Sequence, residues 1–310
     1  MFLTAFVSIF RNDPERSFPM KNFQVLTDSG CDLPMEKCEE RGILPLQLWY
    51  EIDEERFPDT MRHEDCHRFY EMMRAGKIPR TSQVTPQEYY AFWQACYEKN
   101  PLPMVHISLG SGISGTYANG VVAREQFLAN HPDAEICLVD STLASVGYGM
   151  LALDAADMRD QGITASECAA KLDEIKPTIN TYYTTGDLTY LYRSGRVSRT
   201  GMTIAHALNI WPILNLDLDG HLIVQEKMKG KKRTVRRIHK IVEELSLHPE
   251  EQTLFICHSD IPEEAREFGE GLKEAFGFKD VYDTYIGPTI GAHAGPGLIA
   301  AFFKGKSRVN

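Results

Sequence analysis

The sequence lacks several patterns that would identify its chemistry directly. Its seven cysteines stand singly with no CxxC pair, which argues against a zinc site and a disulfide framework and favours reduced thiols. It has no dinucleotide fingerprint, no phosphate loop ending in Gly-Lys-Ser/Thr, no internal repeat and no low-complexity segment. The formal net charge of −10 argues against nucleic acid as a general partner. We therefore expect no metal and no cofactor of the common nucleotide classes.

Long hydrophobic runs are also absent. The apolar stretch at 1–10 is too short to span a bilayer, and it lacks the basic region that opens a signal peptide. We interpret residues 1–19 as a dispensable leader ahead of Met20, and we expect a cytoplasmic protein without membrane insertion. At 310 residues the chain is long enough for two domains.

The order of elements predicts an α/β fold. In the first half, strands at 23–27, 43–52, 104–107 and 135–139 alternate with helices at 63–75, 86–99, 116–130, 143–160 and 165–175, which is typical of a parallel sheet with helices on both faces. In the second half, strands at 179–185, 211–216, 222–225, 253–257 and 281–285 and helices at 187–192, 233–245 and 262–276 predict a mixed sheet. Asp219-Gly220 indicates a hairpin. We place the boundary near Pro177, giving domains at 20–177 and 178–310.

The segment at 104–127 is the clearest candidate for a ligand site. A short apolar strand leads into a turn of small and hydroxylated residues, and helical periodicity then resumes. The N-terminus of such a helix binds anions through its free amide groups and its dipole, and Ser114, Gly115 and Thr116 lie at that point. The same residues are also typical of an ordinary helix N-cap. The segment predicts a small-anion site without identifying the anion.

Three other segments add candidate residues. Ser29 and Asp28 follow the first strand, at the sheet edge where ligands of open α/β sheets bind, although turn and cap chemistry is the alternative. Thr81 and Ser82 lie in an extended polar loop and are not needed for the helix cap that we assign to Thr85. The stretch 286–297, with four glycines and two prolines, predicts a rigid loop around His293, followed by an apolar tail.

From about residue 23 to 303, the chain resembles the DegV family of bacterial fatty-acid-binding proteins, and its motifs follow one another in the order found in that family. The resemblance rests on six motifs: Thr27-Asp28-Ser29 with Cys31-Asp32-Leu33-Pro34, Thr81-Ser82-Gln83, Ile113-Ser114-Gly115-Thr116-Tyr117, Val139-Asp140-Ser141, Asp187-Leu188 through Ser194-Gly195-Arg196-Val197-Ser198, and the glycine-rich stretch 287–297. It implies a two-domain fold with a ligand tunnel between a parallel-sheet N-terminal domain and a mixed-sheet C-terminal domain, the terminal glycine loop returning to the cleft.

The resemblance also implies a function. One long-chain fatty acid is held with its carboxylate on Thr81 and Ser114, and Arg196 and His293 form a polar network behind the head group. The protein is then a carrier rather than an enzyme, and we expect a monomer. In part of the family, a fatty-acid kinase phosphorylates the carried acid for phospholipid synthesis.

Two alternatives stay open from the residues alone. Ser114 as nucleophile with His293 as base would make an esterase-like enzyme, although there is no Gly-x-Ser-x-Gly elbow. The same helix N-terminus would also suit a phosphorylated metabolite.

A basic cluster stands out in this acidic chain: Lys229, Lys231, Lys232, Arg233, Arg236 and Arg237, with Arg193 and Arg199 elsewhere in the sequence. One interpretation is the solvated start of a helix, and the other is a docking face for the kinase that includes Arg193, Arg199, Lys232 and Arg236.

Overall fold

The computed structural model describes residues 22–197 and 209–308. The predicted leader at 1–19 and the docking residue Arg199 lie outside these ranges. Within them the chain has the predicted α/β architecture, with one parallel sheet, one mixed sheet and a small third sheet.

The first sheet has four parallel strands in the order β2-β1-β6-β7. These strands are Gln24–Asp28 (β1), Ile43–Leu46 (β2), Met104–Ser108 (β6) and Ile136–Asp140 (β7). The segment between β2 and β6 forms a small antiparallel sheet of three strands, in the order β4-β3-β5. Its strands are Trp49–Ile52 (β3), Glu55–Pro58 (β4) and Arg80–Thr81 (β5). All seven strands precede Ser141.

The second sheet has six strands in the order β10-β9-β8-β13-β11-β12, of which only β11 and β12 pair in parallel. They are Ile179–Thr184 (β8), Ile210–Leu216 (β9), Leu222–Lys229 (β10), Thr253–His258 (β11), Asp280–Tyr285 (β12) and Ile299–Lys304 (β13). The hairpin at Asp219-Gly220 is confirmed, because β9 and β10 pair antiparallel across it. The domain boundary near Pro177 stays a prediction.

Ten helices connect these strands within the described residues. They are Met35–Arg41 (α1), His63–Arg74 (α2), Pro86–Lys99 (α3), Thr116–Asn130 (α4), Val146–Asp160 (α5), Ala165–Ile175 (α6), Thr189–Arg193 (α7), Lys231–Leu245 (α8), Pro262–Phe276 (α9) and Pro288–Ala294 (α10). Of these, none has the length and apolar character needed to cross a membrane.

Helix α5 joins the two large sheets. It packs against β1 of the parallel sheet and β8 of the mixed sheet, and one hydrophobic core extends over both. Its small residues make this possible: a Cβ added at Gly149 would lie 2.7 Å from the carbonyl oxygen of Cys31, and one at Gly147 would lie 3.4 Å from the Phe302 ring. The two glycines therefore let α5 approach its neighbours closely.

Two sequence predictions were wrong in detail, and a third segment gained a structure that was not predicted. The single strand at 43–52 is two strands in different sheets, because the chain turns at Gln47-Leu48 and the Ser29 hydroxyl accepts a hydrogen bond from the Leu48 amide at 2.9 Å. The stretch at 286–297 is not a loop over its whole length. Helix α10 forms within it, because buried carboxylates accept hydrogen bonds from its first amides. The apolar tail is strand β13, which pairs with both β8 and β11 in the middle of the mixed sheet.

Candidate ligand-binding site

A cavity of about 350 Å³ lies between residues of both halves of the chain. Leucine, isoleucine and alanine form most of its wall, from Leu48, Leu109 and Ile113 in the first half to Leu214 and Leu216 in the second. Its polar residues are Thr81, Ser82, Gln83, Ser114, Thr116, Arg196, Thr289 and His293, and Gly115 and Tyr183 also line it. Seven of the eight ligand residues expected from the sequence therefore line one cavity.

Ser29 is the exception. It is buried at the end of β1 and does not line this cavity in the part of the chain that the structure describes. Its hydroxyl instead fixes the amide of Leu48, whose side chain does line the wall. For Ser29, the contacts thus fit the alternative interpretation, in which its hydroxyl stabilises a turn and does not bind a ligand.

Ser114 and Thr116 form a hydroxyl pair at the start of α4. The Ser114 hydroxyl donates to Thr116 Oγ1 at 2.9 Å and accepts from the Thr116 amide at 3.2 Å. Ser114 thus satisfies a free amide at the helix N-terminus and still faces the cavity, so the two interpretations of this segment are compatible. Gln83 lies directly over the turn, since a Cβ on Gly115 would lie 2.0 Å from its Oε1.

Thr81 and His293 are joined across 212 residues of sequence. Thr81 Oγ1 lies 2.7 Å from His293 Nε2, so the short strand β5 and helix α10 meet at the cavity. Burial, and to a lesser extent the positive charge of Arg196, lowers the pKa of His293 from 6.5 to about 4. The imidazole is therefore neutral at pH 7, and Arg196 is the cation of the polar cluster.

The geometry does not make the pair that an esterase needs. Among the described residues, His293 Nε2 bonds the Thr81 hydroxyl, whereas the Ser114 hydroxyl donates to Thr116. A nucleophilic serine requires its base within hydrogen-bond reach. The arrangement instead presents hydroxyl groups and one guanidinium to whatever occupies the cavity.

Helix α10, which carries His293, is positioned by two buried aspartates that sequence reasoning did not assign to the site. The Gly287 amide donates to Asp32 Oδ1 at 2.8 Å, and the amide and hydroxyl of Thr289 donate to Asp59 Oδ2 at 3.1 and 2.6 Å. Carboxylates at a helix N-terminus satisfy its free amides and interact favourably with its dipole. Thr289 and His293 are one helical turn apart, so the same contacts fix both cavity residues.

These carboxylates lie in an unusually dry environment. Burial raises the pKa of Asp59 to about 6, in spite of the hydrogen bonds from Thr289, and raises the pKa of Asp32 well above its usual value. Asp28 belongs to the same group: its carboxylate accepts from Tyr148 and from the Leu109 amide, and burial raises its pKa to about 6. Asp28 therefore supports the end of β6 rather than facing a ligand.

The basic cluster is partly neutralised. Lys231 pairs with Glu264 and lies over the Trp211 ring, and Arg237 pairs with Glu226 at 2.8 Å. Lys232, Arg233 and Arg236 are exposed on α8, and Arg193 is exposed at the end of α7 with its guanidinium over Tyr190. Of the described residues of this cluster, most of the exposed positive charge therefore lies on α8.

Comparison with known proteins gives a consistent result. A family model described as an uncharacterised protein of the DegV family matches residues 22–306. A DegV domain-containing protein of Clostridium perfringens is 35% identical over 93% of this chain and 99% of its own length, and one of Caldanaerobacter subterraneus is 31% identical over 93% and 100%.

Solved structures match as well. A DegV lipid-binding protein of Thermotoga maritima superposes with a TM-score of 0.80 at 26% identity, covering 93% of this chain and 99% of that one. DegV of Bacillus subtilis, described as a fatty acid binding protein, superposes with a TM-score of 0.79 at 27% identity, covering 92% and 100%.

Proposed function

Because the chain belongs to the DegV family, we propose that it binds one long-chain fatty acid, with the carboxylate on Thr81 and Ser114. The observation that carries the proposal is the composition of the cavity wall: one polar cluster in an otherwise aliphatic cavity. Two relatives of the same fold, from Thermotoga maritima and Bacillus subtilis, are described as lipid- or fatty-acid-binding.

The chemistry of the polar cluster suits a carboxylate. A carboxylate taken out of water needs hydrogen-bond donors and a nearby cation to offset its lost solvation. For Ser114 to be a donor, its hydroxyl proton must turn from Thr116 Oγ1 to the carboxylate on binding. Thr81 is the second donor, with the neutral His293 Nε2 at 2.7 Å from its hydroxyl oxygen, and Arg196 is the cation. The aliphatic wall then takes the chain, at about 0.8 kcal/mol per buried methylene before the costs of association.

Mass spectrometry of the freshly purified protein, native and then solvent-extracted, tests ligand identity. We expect a near-stoichiometric long-chain fatty acid. A protein that is empty and also fails to take up added fatty acid would contradict the proposal, and its reaction with a serine-directed phosphonate would revive the esterase alternative.

Removal of the head-group hydroxyls tests the placement of the carboxylate. A hydrogen bond to a charged group contributes about 1.5–3 kcal/mol, so Thr81→Val and Ser114→Ala should each weaken fatty-acid binding about 10- to 150-fold. Ser111→Ala is the matched control, since Ser111 lies in the same turn but is exposed and bonds Asp140. Equal affinities of all three variants would place the carboxylate elsewhere.

We further propose that the protein presents the acid to a fatty-acid kinase, with α8 as the docking face. Complementary charge steers encounter, so exposed Lys232 and Arg236 should set the association rate. The double reversal of these two residues to Glu should slow kinase-dependent phosphorylation and leave fatty-acid affinity intact. The control is the same double reversal at Lys171 and Lys279, exposed positions outside α8. A similar loss in the control would refute a specific docking face.

A further inference from the structure

Gln83 lies at the end of the cavity where the carboxylate is proposed to bind. It follows Thr81 by two residues, and its side chain covers Gly115, the residue after Ser114. A Cβ added to Gly115 would overlap the Gln83 carboxamide, and the three atoms nearest to it all belong to Gln83. Both residues line the cavity and are exposed to solvent. The carboxamide therefore reaches the proposed head-group site from the solvent side.

The backbone on either side of Gln83 fixes this position. The Val84 amide donates to Thr116 Oγ1 at 3.4 Å, and the Asn119 side chain donates to the Val84 carbonyl oxygen at 2.8 Å, so the chain is attached to the first turns of α4. On the other side, Thr81 belongs to β5 and pairs with β3. Gln83 is thus held between β5 and the start of α4, the two elements that meet at the head group.

The exposed and buried parts of the cavity wall differ in chemistry. Ser82, Gln83 and Gly115 are exposed, whereas Leu214 and Leu216 of the aliphatic wall are buried. A fatty acid that enters with its tail toward the buried wall leaves its carboxylate at the exposed end. A carboxylate offers about four acceptor sites, and the two proposed hydroxyl donors use only part of them. An uncharged carboxamide with its two N–H donors can satisfy a further site from outside.

We propose that Gln83 is a specificity-determining residue of the head-group site, whose carboxamide donates a hydrogen bond to the outward carboxylate oxygen. This inference rests on the proposed fatty-acid binding and names a further residue that recognises the head group. A hydrogen bond from the amide to a carboxylate is charge-assisted, whereas an alcohol of the same chain length forms only a neutral hydrogen bond there, which is roughly half as strong. Loss of the amide should therefore weaken binding of the acid more than binding of the alcohol.

The test compares two ligands that differ only in the head group, hexadecanoate and 1-hexadecanol, on the delipidated full-length protein. The readout is the ratio of their affinities. Gln83→Glu keeps the shape of the side chain but replaces its N–H donors with a carboxylate, which repels the acid and accepts from the alcohol. A hydrogen bond to a charged group corresponds to at least about a tenfold change in an equilibrium constant, so the acid-to-alcohol ratio should fall at least about tenfold. Gln126→Glu is the matched control, since Gln126 is exposed on α4 and is not among the residues that line the cavity, and this variant should keep the wild-type ratio.

A second variant, Gly115→Ala, disturbs the same contact without changing Gln83. The backbone φ of Gly115 is −77°, which alanine adopts without strain, but the new Cβ must displace the carboxamide. The acid-to-alcohol ratio should fall in this variant as well. In a Gln83→Ala background there is no carboxamide to displace, so adding Gly115→Ala should lower the ratio no further.

The outcomes separate the two proposals. If Gln83→Glu weakens both ligands equally, or leaves both affinities unchanged, the inference is overturned and fatty-acid binding stands. A further fall of the ratio when Gly115→Ala is added to Gln83→Ala would also overturn it, because the new Cβ would then act on the ligand directly. If the wild-type protein does not bind hexadecanoate, the proposed function fails and the inference fails with it.

Discussion

The buried carboxylate of Asp59 gives the sharpest prediction from the structure. Its pKa rises from 3.8 to about 6 because it is buried. At about 1.4 kcal/mol per pKa unit, the folded state disfavours the ionised form by about 3 kcal/mol relative to the unfolded chain. An acid with a raised pKa stabilises the folded state most when it is protonated. Its contribution to the free energy of unfolding is therefore fully present below about pH 4 and is lost as the pH rises through about 6. We therefore expect Asp59→Asn, which mimics the protonated form, to stabilise the protein at neutral pH.

The magnitude depends on pH in a defined way. Integrating the two titration curves gives an advantage for Asp59→Asn of about 1 kcal/mol at pH 4.5 and about 3 kcal/mol at pH 7.5. The asparagine oxygen can keep both hydrogen bonds from Thr289, and the contact it loses, from the Met61 amide at 3.4 Å, is weak. Because α10 stays fixed, fatty-acid affinity should be unchanged.

Urea unfolding at the two pH values measures this difference. Asp133→Asn, at an exposed position, controls for the loss of one negative charge. If Asp59→Asn is less stable than the wild type by the same amount at both pH values, the hydrogen bonds from Thr289 require the charge, and the argument from desolvation is refuted.

Three further changes have expected outcomes in urea unfolding. Gly295→Ala should cost on the order of 3 kcal/mol, because the backbone φ is 76° and the new Cβ would lie 2.2 Å from the Tyr190 ring; a loss under 1 kcal/mol would contradict this. Thr85→Ala removes the capping box with Glu88 and should cost about 1 kcal/mol while leaving fatty-acid affinity unchanged. Arg308→Met leaves buried carbonyl groups unpaired and should cost about 2–3 kcal/mol, whereas a neutral result would show that water replaces the guanidinium.

The parts of the fold that were predictable depend on neighbouring residues. Thr85 and Glu88 are three positions apart, and the structure has the full capping box there. Asp219-Gly220 forms the turn between two paired strands, and Gly220 has the positive φ of 82° that such a turn needs. In both cases the physical cause lies within four residues, so the sequence pattern carries it.

The predictions that failed depend on distant contacts. Helix α10 has only seven residues, and its local signals, Pro288 at the first position and Gly295 after the last, do not distinguish a helix from a loop in a stretch this rich in glycine and proline. Its first amides are satisfied by Asp32 and Asp59, more than 200 residues earlier in the chain. In the same way, the turn that divides the predicted strand at 43–52 depends on Ser29. A sequence pattern reports the conformational preferences of neighbouring residues, and it carries no information about a hydrogen-bond partner from a distant part of the chain.

The site was predictable only in part for the same reason. The turn before α4 indicated an anion site from Ser114, Gly115 and Thr116 alone. The association of Thr81 with His293 came from the family resemblance, since no local pattern joins residues 212 positions apart.

The charge of the polar cluster distinguishes a carboxylate from the phosphate that the helix N-terminus also suggested. With a neutral His293, Arg196 contributes one positive charge, which matches a monoanion. A phosphate monoester carries nearly two negative charges at pH 7. Among the described residues that line the cavity, His293 is the group that could match the second charge by gaining a proton, at a cost that grows with each pH unit above about 4. Affinity for an alkyl phosphate should therefore rise as the pH falls from 8 to 6, whereas affinity for the corresponding fatty acid should stay nearly constant. The opposite pattern in a titration of both ligands would mean that the site is built for a dianion.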